Sequence, residues 1–163
     1  MHALLLVASI AAWAIAEATA APYEPHARLL REVATGLALL GVHVAALVEH
    51  LVRDTPGSLA GLAVIAAGLG LRIAAIRTLR SRFVSSTTVD RVIATGPYRL
   101  MRHPSVVGLI AAAAGSAWLL GSPVAALIAA LVLLPLCIAR CRAEDRALAA
   151  HIPARYARAP AAS

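Results

Sequence analysis

A chain of 163 residues is one domain by length, but 61% of it is apolar and only 14% charged, which excludes an ordinary soluble domain. All 15 basic residues are arginine and the net charge is +7, yet the arginines flank apolar blocks and aromatics are only 4%. Bilayer topology therefore accounts for the basicity better than nucleic acid, which would want a continuous basic patch with stacking rings.

The apolar residues come in blocks near the ~20 residues that cross a bilayer as a helix. The first runs from about Ala3 to Ala20. Ala18-Thr19-Ala20 resembles a signal-peptide cleavage site, but no arginine or lysine precedes the apolar stretch, so a retained first transmembrane helix is expected. Pro22-Tyr23-Glu24-Pro25 breaks it, and His26 to Arg31 read as a short polar connection. A second block spans about Val33 to Val52, closed by the turn chemistry of Arg53-Asp54-Thr55-Pro56-Gly57. The third runs from about Ser58 to Ile76. A long polar segment follows to Pro104, then a fourth block, Ser105 to Leu120. Gly121-Ser122-Pro123 can only be a hairpin turn before a fifth block, Val124 to Ala139, and a charged tail from Arg140.

The expected fold is thus an all-α integral membrane protein of five transmembrane helices in a single domain over residues 1–163. Residues 1–79 carry helices one to three, 80–104 the polar motif segment, 105–140 the helical hairpin, and 141–163 an amphipathic C-terminal helix. Five crossings put fourteen of the fifteen arginines on one side, with Arg53 alone on the other. By the positive-inside rule the N-terminus is expected outside and the polar segment and tail in the cytoplasm. Small residues spaced by four, such as Gly108 with Ala112 and Ala111 with Gly115, predict close helix contact, here with the fifth helix. Glu49, His50, Arg53 and Asp54 fall at the opposite end and read as interfacial anchors. Cys137 and Cys141, one turn apart on a helix, read as small apolar residues; neither a disulfide nor a metal site is expected.

The stretch with chemistry in it is Gly96-Pro97-Tyr98-Arg99-Leu100-Met101-Arg102-His103-Pro104, leading straight into the fourth block. Proline suits the first position of a helix, whose exposed N–H groups attract anions. At the hairpin's other end lies Arg140-Cys141-Arg142-Ala143-Glu144-Asp145-Arg146, which the turn should bring to the same membrane face. Together they offer cations, a histidine, an acidic pair and a phenol, a set suited to a zwitterionic ligand with a carboxylate, an amine and a ribose diol.

Val92 to Ser105, with Arg102-His103-Pro104 at its end, resembles the signature of isoprenylcysteine carboxyl methyltransferases and their bacterial, phospholipid methyltransferase-like relatives, in which an RHPxYxG motif precedes a helical hairpin and an acidic pair. Arg140, Glu144-Asp145, Leu148, Ile152 and Tyr156 are similar to the family's second motif. The family's motif tyrosine is Val106 here, its second glutamate is Asp145, and its Phe-Gly is Ile152-Pro153. The resemblance implies a membrane enzyme that transfers a methyl group from S-adenosylmethionine, leaving S-adenosylhomocysteine, to a small lipophilic or lipid-anchored acceptor. Candidate acceptors are a prenylcysteine carboxylate, a phospholipid amine and a lipid phenol. It carries cofactor-binding roles onto Tyr98, Arg99, Arg102, His103, Pro104, Glu144 and Asp145, and catalytic roles onto Arg140 and Asp145. The alanine- and arginine-rich composition suggests a bacterial inner membrane. The competing expectation is a non-enzymatic helical scaffold or assembly partner, with no pocket joining the two charged segments.

Overall fold

The computed structural model describes the backbone of residues 1–20, 26–80 and 95–151, and side chains within 1–15, 33–78 and 95–146. Among these residues every regular element is helical: α1 (His2–Ala20), α2 (His26–Arg53), α3 (Ala60–Arg80), a 3-10 turn (Gly96–Arg99), α4 (Pro104–Leu120), α5 (Pro123–Ile128), a π turn (Ala129–Leu133) and α6 (Leu134–His151). Three stretches are long and apolar enough to cross a bilayer, Val33–Arg53, Ala60–Thr78 and Pro123–Arg146. The described apolar part of α1 is His2–Ile15, and α4 has 17 residues, about 25 Å at 1.5 Å per residue. Among the described residues three helices are therefore of spanning length, where the sequence pattern predicts five crossings.

Three boundaries differ from the sequence reading. His26–Arg31 is helical and belongs to the start of α2. The third helix continues past Ile76 to Arg80. The fifth block does not end at Ala139: α5, the π turn and α6 form one rod to His151, so Arg140–Arg146 ride on a continuous helix rather than a separate tail element. Nothing between Ile128 and His151 breaks a helix outright. Pro135 falls two residues after the π turn, whose altered hydrogen-bond register is the ordinary way a rod accommodates a residue without an N–H. Residues 152–163, including Pro153 and Tyr156, lie outside the described residues.

The tightest packing joins α3 to α4, antiparallel and backbone to backbone. A Cβ on Gly68 would lie 2.6 Å from the Gly108 carbonyl, and one on Gly108 would lie 2.5 Å from the Gly68 carbonyl. Higher up, Gly61 and Gly115 approach the same way, at 2.6 and 2.8 Å. Only glycine permits this. The small residues of α4 thus face the third helix, not the fifth as expected, because Gly61 and Gly68 supply complementary gaps while α5 and α6 lean on α2.

The hairpin between α4 and α5 is built residue by residue. Gly121 takes a left-handed conformation (φ 60°), and the Ser122 N–H donates to the Ala117 carbonyl at 2.8 Å, closing α4. Ser122 then caps α5, its Oγ accepting from the Ala125 N–H at 3.0 Å. Glu49, expected as an interfacial anchor, is instead buried here (side chain 6% exposed). One carboxylate oxygen accepts from the Ser122 hydroxyl at 2.6 Å and the Val124 N–H at 3.1 Å, the other from Arg53 at 2.9 Å. A carboxylate at a helix N-terminus answers the exposed donors and the dipole together. His50 and Thr55 bond beside it at 3.1 Å. This end of the molecule is a structural clamp, and the polar motifs lie at the other.

Gly68→Val is expected to destabilise the protein by about 1–3 kcal/mol, the usual result of forcing atoms into a filled contact. Gly70→Ala, where a Cβ meets nothing within 4 Å, is expected to raise stability by about 0.5–1 kcal/mol. Thermal unfolding of the two variants in detergent checks both signs.

Candidate functional site

The 3-10 turn opens with Gly96 in a left-handed conformation (φ 58°), its α-carbon close against Thr78 of α3. A side chain there would meet the Thr78 hydroxyl at 2.8 Å, so glycine is what lets the turn lie against α3. The turn ends at Arg99, and five residues later Pro104 occupies the first position of α4, fully buried. Its missing N–H costs nothing there.

His103 is the N-cap of α4. Its carbonyl accepts from the Val106 and Val107 N–H groups, both at 3.1 Å, but its side chain makes no capping bond. The ring is turned instead to α6. Nε2 lies 3.1 Å from Asp145 Oδ1 and Nδ1 lies 3.4 Å from Glu144 Oε2. The first is a hydrogen bond, the second a longer electrostatic contact. On α6, Arg140 and Glu144 share a face one turn apart, and Arg140 Nε donates to Glu144 Oε1 at 3.0 Å. The set runs inward from Asp145 (side chain 46% exposed) to Arg140 (15%), where a charge interacts more strongly than in water.

Tyr98, half-buried on the 3-10 turn, belongs to the same cluster. Its phenol is pushed up to about 12, first by burial and next by the Glu144 carboxylate, while the Arg140 and Arg72 charges work the other way. Beneath the ring of His103 lies a cavity of about 340 Å³ whose wall includes Arg102, His103, Val106, Cys137, Cys141 and Arg142. A second cavity of about 510 Å³ runs on between α4 and the α5–α6 rod, past Ala114, Trp118, Ala130 and Leu134. Ile110 borders both. The hairpin is thus splayed, with a groove along it, because α4 is drawn to α3 and the rod to α2.

Of the residues singled out from sequence, the structure brings His103, Glu144, Asp145, Arg140 and Tyr98 together, with Arg102 exposed on the cavity wall and Pro104 buried behind it. Arg99 is exposed and is not part of that wall. Cys137, 2% exposed, belongs to the hydrophobic core and Cys141 packs against it, as expected of small apolar helix residues, and both also border the cavity. The residue the sequence reading passed over is Arg72, counted there only as a flanking charge. It is 5% exposed and donates through Nη1 to the Ser105 carbonyl at 3.1 Å and hydroxyl at 2.8 Å. An arginine within an apolar run, one turn after a glycine contact point, was the available signal.

Chemically, the arrangement offers acceptors on Glu144 and Asp145 for an ammonium or hydroxyls, guanidinium donors on Arg102 and Arg140 for an anion, and an apolar wall. That donor set fits a zwitterionic nucleoside with an apolar neighbour.

Residues 57–154, well over half of the chain, match the family model described as phospholipid methyltransferase. No curated protein and no solved structure gives a significant match.

The Tyr98 phenol holds its proton more tightly folded than unfolded. Its contribution to stability is therefore complete below pH 10 and lost as pH rises toward about 12. Alkaline unfolding should show this decline in the natural protein, and Tyr98→Phe should remove that part of the pH dependence.

Proposed function

The chain belongs to the phospholipid methyltransferase family, a family of membrane methyltransferases, and from that premise we propose that it transfers the methyl group of S-adenosylmethionine to a lipid-borne acceptor. The observation that carries the proposal is the His103 ring set between Glu144 and Asp145, 41 and 42 positions away in sequence, at 3.4 and 3.1 Å. Bound there, S-adenosylmethionine would supply an electrophilic methyl group for in-line displacement. Glu144 and Asp145 would accept from its ammonium and ribose hydroxyls, Arg102 would bind its carboxylate with the exposed Arg99 adding only longer-range attraction, and Tyr98, His103 and Pro104 would shape the pocket. Holding donor and acceptor in line is most of such catalysis, and good orientation can supply roughly 7–11 kcal/mol. The apolar wall at Val106 and Ile110 excludes water from the reacting atoms.

Arg140, held by Glu144, would orient the acceptor and stabilise its charge. Among the acceptor classes, the family's description and the base available here favour a phospholipid amine over a carboxylate or phenol. An amine must shed a proton as it attacks, and Asp145, half-exposed and bonded to His103, can take it and release it to water. The acceptor's chain would lie in the groove between α4 and the α5–α6 rod, reaching the site sideways from the bilayer. The arginine distribution supports an orientation with this site at the cytoplasmic face of a bacterial inner membrane.

Calorimetry on the detergent-purified protein should detect S-adenosylhomocysteine binding, and His103→Ala, still folded, should weaken it about 10–100-fold, the equivalent of about 1.5–3 kcal/mol for bonds to charged groups. Absence of binding by the natural protein at high micromolar ligand would remove the enzyme reading and leave the scaffold. Ala130→Phe, which fills the apolar groove, should raise KM for long-chain amine acceptors severalfold while leaving S-adenosylhomocysteine affinity unchanged.

A further inference from the structure

Arg72 is a charged residue set deep between α3 and α4. It is almost fully buried on a helix of membrane-spanning character, where a charged side chain is costly. It also sits at the N-terminal turn of α4, where the helix dipole opposes a cation. What it does there is specific. Its Nη1 bonds both the carbonyl and the hydroxyl of Ser105, at 3.1 and 2.8 Å. Ser105 is the second residue of α4, and His103, two residues before it, is the N-cap whose ring meets Glu144 and Asp145.

The backbone explains how Arg72 reaches that turn. A Cβ on Gly108 would lie 2.9 Å from the Arg72 nitrogen and 3.1 Å from the Arg72 Cβ, so α3 passes against α4 one turn above Ser105. His103 itself is held by little on its own segment. Its φ and ψ of −124° and 58° fit neither helix nor strand, and its side chain caps nothing. The direction of its ring depends on where the first turn of α4 begins. The Arg72 charge, like that of Arg140, also acts on the Tyr98 phenol.

We propose that Arg72 is a positioning residue for the methyl-transfer site. It clamps the first turn of α4 through Ser105 and thereby aims the His103 ring at the acidic pair on α6. Arg72 touches neither carboxylate of that pair through these bonds; it acts through Ser105 and the α4 backbone. The inference rests on reading His103, Glu144 and Asp145 as the cofactor site, so one arm of its test needs no ligand.

In that arm, protein labelled with ¹⁵N-histidine is observed at one fixed pH in detergent. Arg72→Gln should shift the His103 ring ¹⁵N signals. The ring of His43, buried on α2 and bonded to the Leu39 carbonyl at 2.7 Å, should keep its signals and so report an intact fold. Should Arg72→Gln not fold, Arg72→Lys carries the test, because an ammonium keeps the charge but loses the planar fork. Ser105→Ala should give a smaller shift in the same direction. Unmoved His103 signals in a folded Arg72 variant would overturn the proposal. The second arm measures S-adenosylhomocysteine affinity in a double-mutant cycle. Arg72→Gln should weaken binding about tenfold in the natural background and by less than about twofold in His103→Asn, because a residue acting through His103 has little left to act on. Equal losses in both backgrounds would also overturn it. Shifted His103 signals with no ligand binding in the natural protein would uphold Arg72's role and remove the cofactor reading instead.

Discussion

The structure depends on the glycine-to-glycine approach of α3 and α4. Two helices can lie this close only where neither presents a side chain, and Gly61, Gly68, Gly108 and Gly115 provide those gaps in register along both. Apolar burial gives little drive between helices in lipid, so contact of this kind must come from packing and backbone approach. It fixes where α4 starts, and it leaves α4 unable to lie snugly against the α5–α6 rod. The rod is held instead by α2, whose Glu49 carboxylate caps its N-terminus from one end of the molecule.

The groove between α4 and the rod is a consequence of those two attachments. At one end the charged segment of α6 closes across it to His103; along the rest the walls are mostly alanine, isoleucine and leucine, with Trp118 among them. Ile110 joins the two cavities, and Arg102, His103 and Arg142 border the inner one. The π turn (Ala129–Leu133) lies on the groove wall. Val106, where the family motif has tyrosine, lines the inner cavity, and the missing ring leaves room there.

Buried charge at this end is organised rather than incidental. Arg140 is bonded to Glu144, His103 lies between Glu144 and Asp145, and Arg72 is bonded to the first turn of α4. Each pairing lowers the cost of holding a charge away from water, and each ties together elements distant in sequence. A site built this way is preorganised by helices, which hold side chains more rigidly than loops do.

The sequence by itself determined the membrane character, the five apolar blocks, the turn at Gly121-Ser122-Pro123 and the family motif pair, because hydropathy, turn chemistry and short motifs are local properties of the chain. It also marked His103, Glu144, Asp145 and Arg140 as one constellation, since a short hairpin must return the chain to the same face. Tertiary structure alone decided which helix the glycines of α4 face, that Glu49 is a buried cap, that the fifth block continues as one rod to His151, and that Arg72 reaches Ser105. A residue spacing of four marks a close-packing face but carries no address for its partner. The cost of burying Glu49 or Arg72 is offset by groups on helices dozens of residues away, and that pairing exists only once the chain has folded.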